Sequence, residues 1–227
     1  MDLMKESLEN IRESGKRIAE LTSSMAGFVH PGAGTFSRYD LNDEIRKTLN
    51  ILKAGNQNTG IKFTTTFDLS DDVECNATHL NQVWMNLLQN AVDALIEEKS
   101  ASITDGKTVP KEDNVRQIAL RTWRDADYAY VSIEDGGHGI EADHLERIFD
   151  LYFTTKPLQR GTGMGLYLAR KIVIDHNGGI EVKSTLGQGT TFLVRLPLTQ
   201  DSNHATKTIL IAETDDKITK GVQYPQR

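Results

Sequence analysis

Cysteine is almost absent. The single thiol, Cys75, cannot close an internal disulfide, and the chain offers no set of several Cys and His ligands of the kind a structural zinc site needs. A reducing, cytoplasmic setting is expected. Positive charge is also scarce: 26 Lys and Arg stand against 32 Asp and Glu, for a net charge of -6. Non-specific attraction to nucleic-acid phosphates or anionic lipid is therefore disfavoured, and no nucleic acid and no membrane contact are expected of this segment. No apolar run approaches the roughly 18 residues of a spanning helix, and the start MDLMKESLEN lacks the basic and apolar regions of a signal peptide. What is present is 227 residues, 38% hydrophobic and 26% charged, enough to bury one sizeable core or two modest ones.

From Met4 to Val29 the apolar or small residues are Met4, Leu8, Ile11, Gly15, Ile18, Thr22, Met25 and Val29, alternating steps of four and three. That is a coiled-coil-like seam, weakened at Gly15 and Thr22, and so narrow a stripe needs a partner helix. His30-Pro31-Gly32-Ala33-Gly34 stops the helix. The expected organisation is a helix over 1–30, a linker over 31–39, a domain over 40–198 and a flexible tail over 199–227.

Within the domain, Asp40 is placed to cap a helix carrying Leu41, Ile45, Leu49 and Leu52. Strands are expected over Ile61–Phe67 and Val73–Cys75, then a strongly apolar helix from Thr78 to about Glu97. Lys99 to Asn114, with Gly106 and Pro110, reads as an exposed loop. Two hairpins follow, Gln117–Trp123 with Tyr128–Glu134, and Ile180–Ser184 with Thr190–Leu196. Between them lie a short helix near Asp143 to Phe149 and a helix from Met164 to His176. Helices and strands do not alternate one for one, and the strands come in hairpins, so an α+β two-layer sandwich with helices on one face of a mixed sheet is predicted.

Four segments carry the chemistry. On the apolar helix, Asn86, Asn90 and Asp93 fall three or four apart and share one face; an Asn carbonyl oxygen is a neutral hard ligand suited to Mg2+ held mainly by phosphate oxygens. Asp135-Gly136-Gly137-His138-Gly139-Ile140 follows a strand, where a carboxylate can accept from an exocyclic amine and glycines admit a planar base. Gly161-Thr162-Gly163-Met164-Gly165-Leu166 enters a helix, whose free N–H groups favour an anion. Gly187-Gln188-Gly189-Thr190 alone reads as a hairpin turn. The third segment follows no strand and lacks a Gly-Lys-Ser/Thr ending, which argues against a Rossmann turn and a P-loop.

In this order the segments resemble the ATP-binding domain of sensor histidine kinases, within the superfamily that includes chaperone and topoisomerase ATPases. The resemblance spans about residues 40 to 197: an N box at Asn86–Ala94, glycine boxes at Asp135–Ile140, Gly161–Leu166 and Gly187–Thr190, and an F box at Phe149–Lys156. It implies a Bergerat-type ATP-binding fold with ATP and Mg2+ as cofactors. Asn90 would hold the metal and Asp135 the adenine amino group, while Gly137, Gly139 and Ile140 would line the base pocket. Phe149 and Phe153 would brace a mobile lid. Gly161, Thr162, Gly163, Met164, Gly165, Leu166 and Thr190, with Asn86 and Asp93, complete the implied nucleotide contacts. Lys156 or Arg160 would neutralise phosphate charge, and the catalytic pair implied is Asn90 and Lys156.

The resemblance further implies a kinase that passes the γ-phosphoryl group to a histidine for relay to a response-regulator receiver domain, the first thirty residues being the second helix of a homodimerising hairpin. Where chaperone and topoisomerase branches place a glutamate base, one turn before the metal ligand, this chain has Asn86, which cannot take a proton. No His followed by an acidic residue and then Pro occurs, so the phosphoacceptor hairpin is expected as a partner, the chain beginning after the phosphorylatable helix. A non-catalytic nucleotide-binding module and an anti-sigma-type serine kinase are the competing readings. Ile209-Leu210-Ile211-Ala212 faintly resembles the first strand of a receiver domain.

Overall fold

The computed structural model describes Gly15 and residues 35–57, 59–104, 116–156 and 161–200. The remainder of the heptad segment, the turn at His30 to Gly34, most of the expected loop after Thr104, Arg160, and the tail with Ile209 to Ala212 lie outside the described residues.

Strand β1 (Ser37–Tyr39) pairs antiparallel with β3 (Val73–Cys75). Residues 37–39 were expected in a linker; Tyr39 lies opposite Val73 and packs against the core. Helix α1 (Leu41–Gly55) starts where Asp40 accepts from Asp43 N–H at 3.1 Å and buries Leu41, Ile45, Leu49 and Leu52. One buried polar position adds a fixed tie: Asn42 donates to the Leu69 carbonyl at 2.7 Å and accepts from Thr122 Oγ1 at 2.6 Å, binding α1 to the sheet. Both polar groups are satisfied, which is what lets them stay buried.

The main sheet has β2 (Lys62–Phe67), β4 (Gln117–Arg124), β5 (Tyr128–Asp135), β6 (Gly179–Thr185) and β7 (Gly189–Pro197) in the order β2-β4-β5-β7-β6. Only β2 and β4 run parallel. Alternation along the strands explains the layers. Ile118, Leu120 and Thr122 of β4, Val131 and Ile133 of β5, and Phe192, Val194 and Leu196 of β7 are buried in register under the helices. The opposite face is half open and carries the stacked pair Trp123 and Tyr130. A sheet covered on one side gives this two-residue period.

Helix α2 (Ala77–Thr104) is the central layer element, with Leu80, Val83, Trp84, Leu87, Leu88, Val92 and Leu95 buried. It runs past Glu97 to Thr104, so residues 99–104 are helical rather than loop. Glu, Lys, Ser and Ala contain no breaker before Gly106, which is the physical reason. Helix α3 (Ala142–Leu145) is shorter than expected, giving way to turns before Phe149. Helix α4 (Gly165–Asp175) packs on α2 through Leu168, Ala169, Ile172 and Val173.

At the end of α4, His176 is buried. Its Nε2 accepts from Asn76 N–H at 3.1 Å and its Nδ1 lies 2.7 Å from the Ile172 carbonyl. An N–H donor faces one nitrogen and a carbonyl faces the other, so the ring is neutral with its proton on Nδ1. Asn76 in turn caps α2, accepting from His79 N–H at 3.2 Å. Gln200, expected in the flexible tail, donates to Glu74 and to the His176 carbonyl, closing this corner. The two-layer α/β sandwich expected from the sequence is the observed fold.

Candidate functional site

A cleft of about 1000 Å3 runs along α2 between the end of β5, the segment from Phe153 to Lys156, and the start of α4. Asp135, the last residue of β5, lines it with 5% exposure. Burial pushes its carboxyl up to about 6, although the Gly137 and Thr190 backbone N–H groups bond to it and pull the other way. The Gly137 N–H contact measures 2.9 Å. A desolvated carboxylate with unfilled acceptor capacity in a cleft is poised for a ligand donor.

Glycine is required at two turns beside the cleft. Gly139 has φ +73, and a Cβ there would meet the Thr185 carbonyl oxygen. Gly163 has φ +66 and lies against the Tyr152 backbone, whose N–H donates to the Gly163 carbonyl at 2.9 Å. L side chains rarely adopt these angles, and neither position has room for one. Ser184 braces the first turn, accepting from Ile140 N–H at 2.8 Å and lying 3.0 Å from Thr190 Oγ1.

Along the same wall, on α2, polar and charged groups converge. Lys156 Nζ lies 2.6 Å from Asp93 Oδ2 and donates to Asn90 Oδ1 at 3.2 Å. Gln89 Nε2 donates to the other Asp93 oxygen at 2.8 Å. Asn86 Nδ2 donates to the Gly165 carbonyl at 3.0 Å, which fixes the start of α4 against α2. Among the described residues no three His, Cys, Asp or Glu side chains gather as a metal site. A Mg2+ here would therefore take most of its oxygens from phosphate and water, a ligand set the ion favours. Asn90 fits that role, because its side-chain oxygen already accepts from a cation in the cleft.

Of the residues expected at the site, Asn86, Asn90, Asp93, Asp135, Gly139, Ile140, Phe153 and Lys156 line the cleft, as do Gly161, Thr162, Gly163, Gly165, Leu166 and Thr190. Gly137, Phe149 and Met164 do not. Gly137 is pressed against Ala94, a Cβ on it falling 2.7 Å from the Ala94 methyl. Phe149 turns into the core, edge-on to Phe192 and under the Arg170 guanidinium. Met164 is buried at the start of α4. His79, Gln82, Met85 and Gln89 also line the cleft without having been singled out. Their signal was present in the three- and four-residue spacing that leads from His79 to Asn86 and Asp93 along one face of α2. His138 and His144 line it too, His144 edge-on to Phe153.

The profile of the family described as histidine kinase-, DNA gyrase B-, and HSP90-like ATPase matches residues 75–200. Sensor histidine kinase ZraS of Salmonella typhimurium is 32% identical over 184 residues, covering 80% of this chain and 36% of the relative. The chain spans only 20% to 40% of the length of such curated relatives. Among solved structures, the catalytic domain of histidine kinase ThkA is similar with a TM-score of 0.60 at 29% identity, over 73% of this chain and 97% of that one. A second structure, ThkA in complex with the response regulator protein TrrA, shares the fold with a TM-score of 0.61 at 23% identity, over 83% of this chain and 50% of that one.

Proposed function

The chain belongs to the histidine kinase-, DNA gyrase B- and HSP90-like ATPase family, and we propose that it is the ATP-binding, phosphoryl-transferring part of a two-component sensor histidine kinase. The observation that carries this reading is the pairing, in one helix-lined cleft, of a buried carboxylate with a lysine held by an amide and a carboxylate. An adenine amino group matches the first and a phosphate chain the second.

In this reading Asp135 accepts from the adenine amino group, while Gly139 and Ile140 bound the base. The Lys156 ammonium neutralises phosphate charge, and the start of α4 turns its free N–H groups toward the phosphates. Mg2+, when bound, offsets the charge that develops on the transferring phosphoryl group. Asn90 would hold it. Asn86 cannot take a proton, so no base activates water at that position. A neutral imidazole nitrogen attacks the γ-phosphorus with its lone pair; the bond to the β-phosphate oxygen breaks with its electrons leaving on ADP, and the ring's other N–H proton passes to solvent.

The acceptor histidine belongs, in this reading, to a partner hairpin, and a response-regulator receiver domain takes the phosphoryl group from it. The heptad from Met4 to Val29 supports a homodimer through that helix. Among the described residues no helix is long and apolar enough to cross a membrane, and a cytoplasmic setting is part of the proposal.

The test is calorimetric titration with a non-hydrolysable ATP analogue, with and without Mg2+, followed by labelled ATP and a supplied acceptor hairpin. Metal-dependent binding with acid-labile label on the hairpin is expected. Binding without transfer would move the assignment to a non-catalytic nucleotide module, and absence of binding would overturn the site.

A further inference from the structure

The cleft is longer than the nucleotide reading uses. Helix α2 orders it: Ala94 lies against Gly137 beside Asp135, Asn90 and Asp93 hold Lys156, and Asn86 touches Gly165. The wall does not stop at Asn86. Met85 lines the same cleft beside Asn86, and Gln82 and His79 continue it by about one and two helical turns, roughly 6 and 10 Å at 1.5 Å per residue, toward the start of α2. Gln82 and His79 thus lie past Asn86, the last side chain tied to the start of α4, and Met85 lies beside it.

We propose that this end of the cleft, formed by His79, Gln82 and Met85, is the subsite that receives the accepting imidazole. The proposal rests on the kinase reading above and names where the acceptor enters. An imidazole about to attack must point its lone-pair nitrogen at phosphorus. What the protein can supply is an acceptor for the ring's remaining N–H and a soft wall for its face. Gln82 carries the amide oxygen and His79 a second ring acceptor, and the Met85 thioether is suited to an aromatic face. The nucleotide end needs none of these properties. A water or hydroxyl nucleophile would instead require a base next to the phosphate, where Asn86 stands.

The experiment loads the chain with Mg2+ and the non-hydrolysable ATP analogue AMP-PNP and titrates it with 4-methylimidazole, the side-chain analogue of histidine. NMR follows the methionine methyls and His79 ring protons. Saturable movement of Met85 and His79, with Met164 unmoved, is expected. Gln82→Ala should weaken methylimidazole binding roughly 2- to 10-fold, the effect of losing one hydrogen bond, and Met85→Trp should block it. Both variants should bind AMP-PNP as the parent does. Methylimidazole that leaves Met85 still, or that binds both variants like the parent, overturns the subsite while leaving the nucleotide reading intact. Failure of AMP-PNP to bind the parent overturns the nucleotide reading first, and the subsite with it.

Discussion

Lys156 Nζ and Asp93 Oδ2 stand 2.6 Å apart, joining a segment just before the second glycine box to the helix that carries Asn90. The pair is partly shielded, with side-chain exposures of 22% and 29%, and Gln89 holds the second Asp93 oxygen. Asp93 thus has both oxygens engaged by the protein. It lines the cleft and holds Lys156 in place there.

That arrangement predicts non-additive substitutions. Lys156→Gln and Asp93→Asn should each weaken binding of a triphosphate analogue while leaving adenosine binding unchanged, and the double variant should be little worse than either. The coupling in a double-mutant cycle, read by denaturant unfolding, should be about 0.2–1 kcal/mol, as for partly exposed pairs. Additive losses would show that Asp93 contacts ligand directly. Asn90→Ala should instead erase the difference in affinity with and without Mg2+, measured by the same titration.

Asp135 predicts opposite effects on binding and stability. Asp135→Asn removes a charge-assisted bond and should cost about 1.5–3 kcal/mol of adenine affinity. Its carboxyl titrates at about 6 in the folded protein against 3.8 for the free group. The native state therefore holds the extra proton between these values, so this group adds stability as pH falls from about 6 toward 3.8 and opposes folding at neutral pH. The asparagine variant should melt higher than the parent at pH 7 without nucleotide, and the parent's affinity for an ATP analogue should decline below pH 6. Equal melting temperatures at pH 7 would count against the burial argument.

His176 titrates with the reverse sign. Burial first, then the charge of His79, holds its imidazole below 6.5, against the carbonyl and backbone contacts that raise it. The unfolded chain takes up this proton before the folded one, so the stability it supplies is complete above about 6.5 and drains away as pH falls from there through the lower folded value. Protonation would set an N–H against the Asn76 N–H. His176→Ala should cost about 1–3 kcal/mol at pH 7 through the orphaned Asn76 donor and should flatten the acid limb of a melting-temperature profile. A variant that keeps the parent's acid slope would assign the slope to other groups.

Gly163→Ala tests the turn that joins the second glycine box to Tyr152. With φ +66 and the Tyr152 backbone in the path of a Cβ, the substitution should cost more than about 1 kcal/mol and lower analogue affinity by shifting the start of α4. Thermal melting and calorimetry read both. Gly55→Ala, where a Cβ meets nothing within 4 Å, is the control and should be neutral or mildly stabilising.

The sequence by itself determined the elements whose cause is local. Asp40 capping α1, the four-three spacing of α2, the two hairpins and the glycine boxes follow from side-chain period, turn chemistry and backbone freedom within a few residues of each other. The shared face of Asn86, Asn90 and Asp93 was equally legible. What depends on distant contacts was not. The strand order β2-β4-β5-β7-β6, with β2 parallel to β4, and the strand Ser37–Tyr39 paired to Val73–Cys75 join segments far apart in the chain. Nothing near Lys156 foretells that its partner is Asp93, 63 residues earlier. The same holds for Phe149, an equal of Phe153 in the sequence, which packs edge-on to the sheet's Phe192 and does not line the cleft. Burial of Asp135 and His176, and hence their proton affinities, is a property of the layers packed around them, because desolvation is set by every neighbour at once and not by the residues on either side.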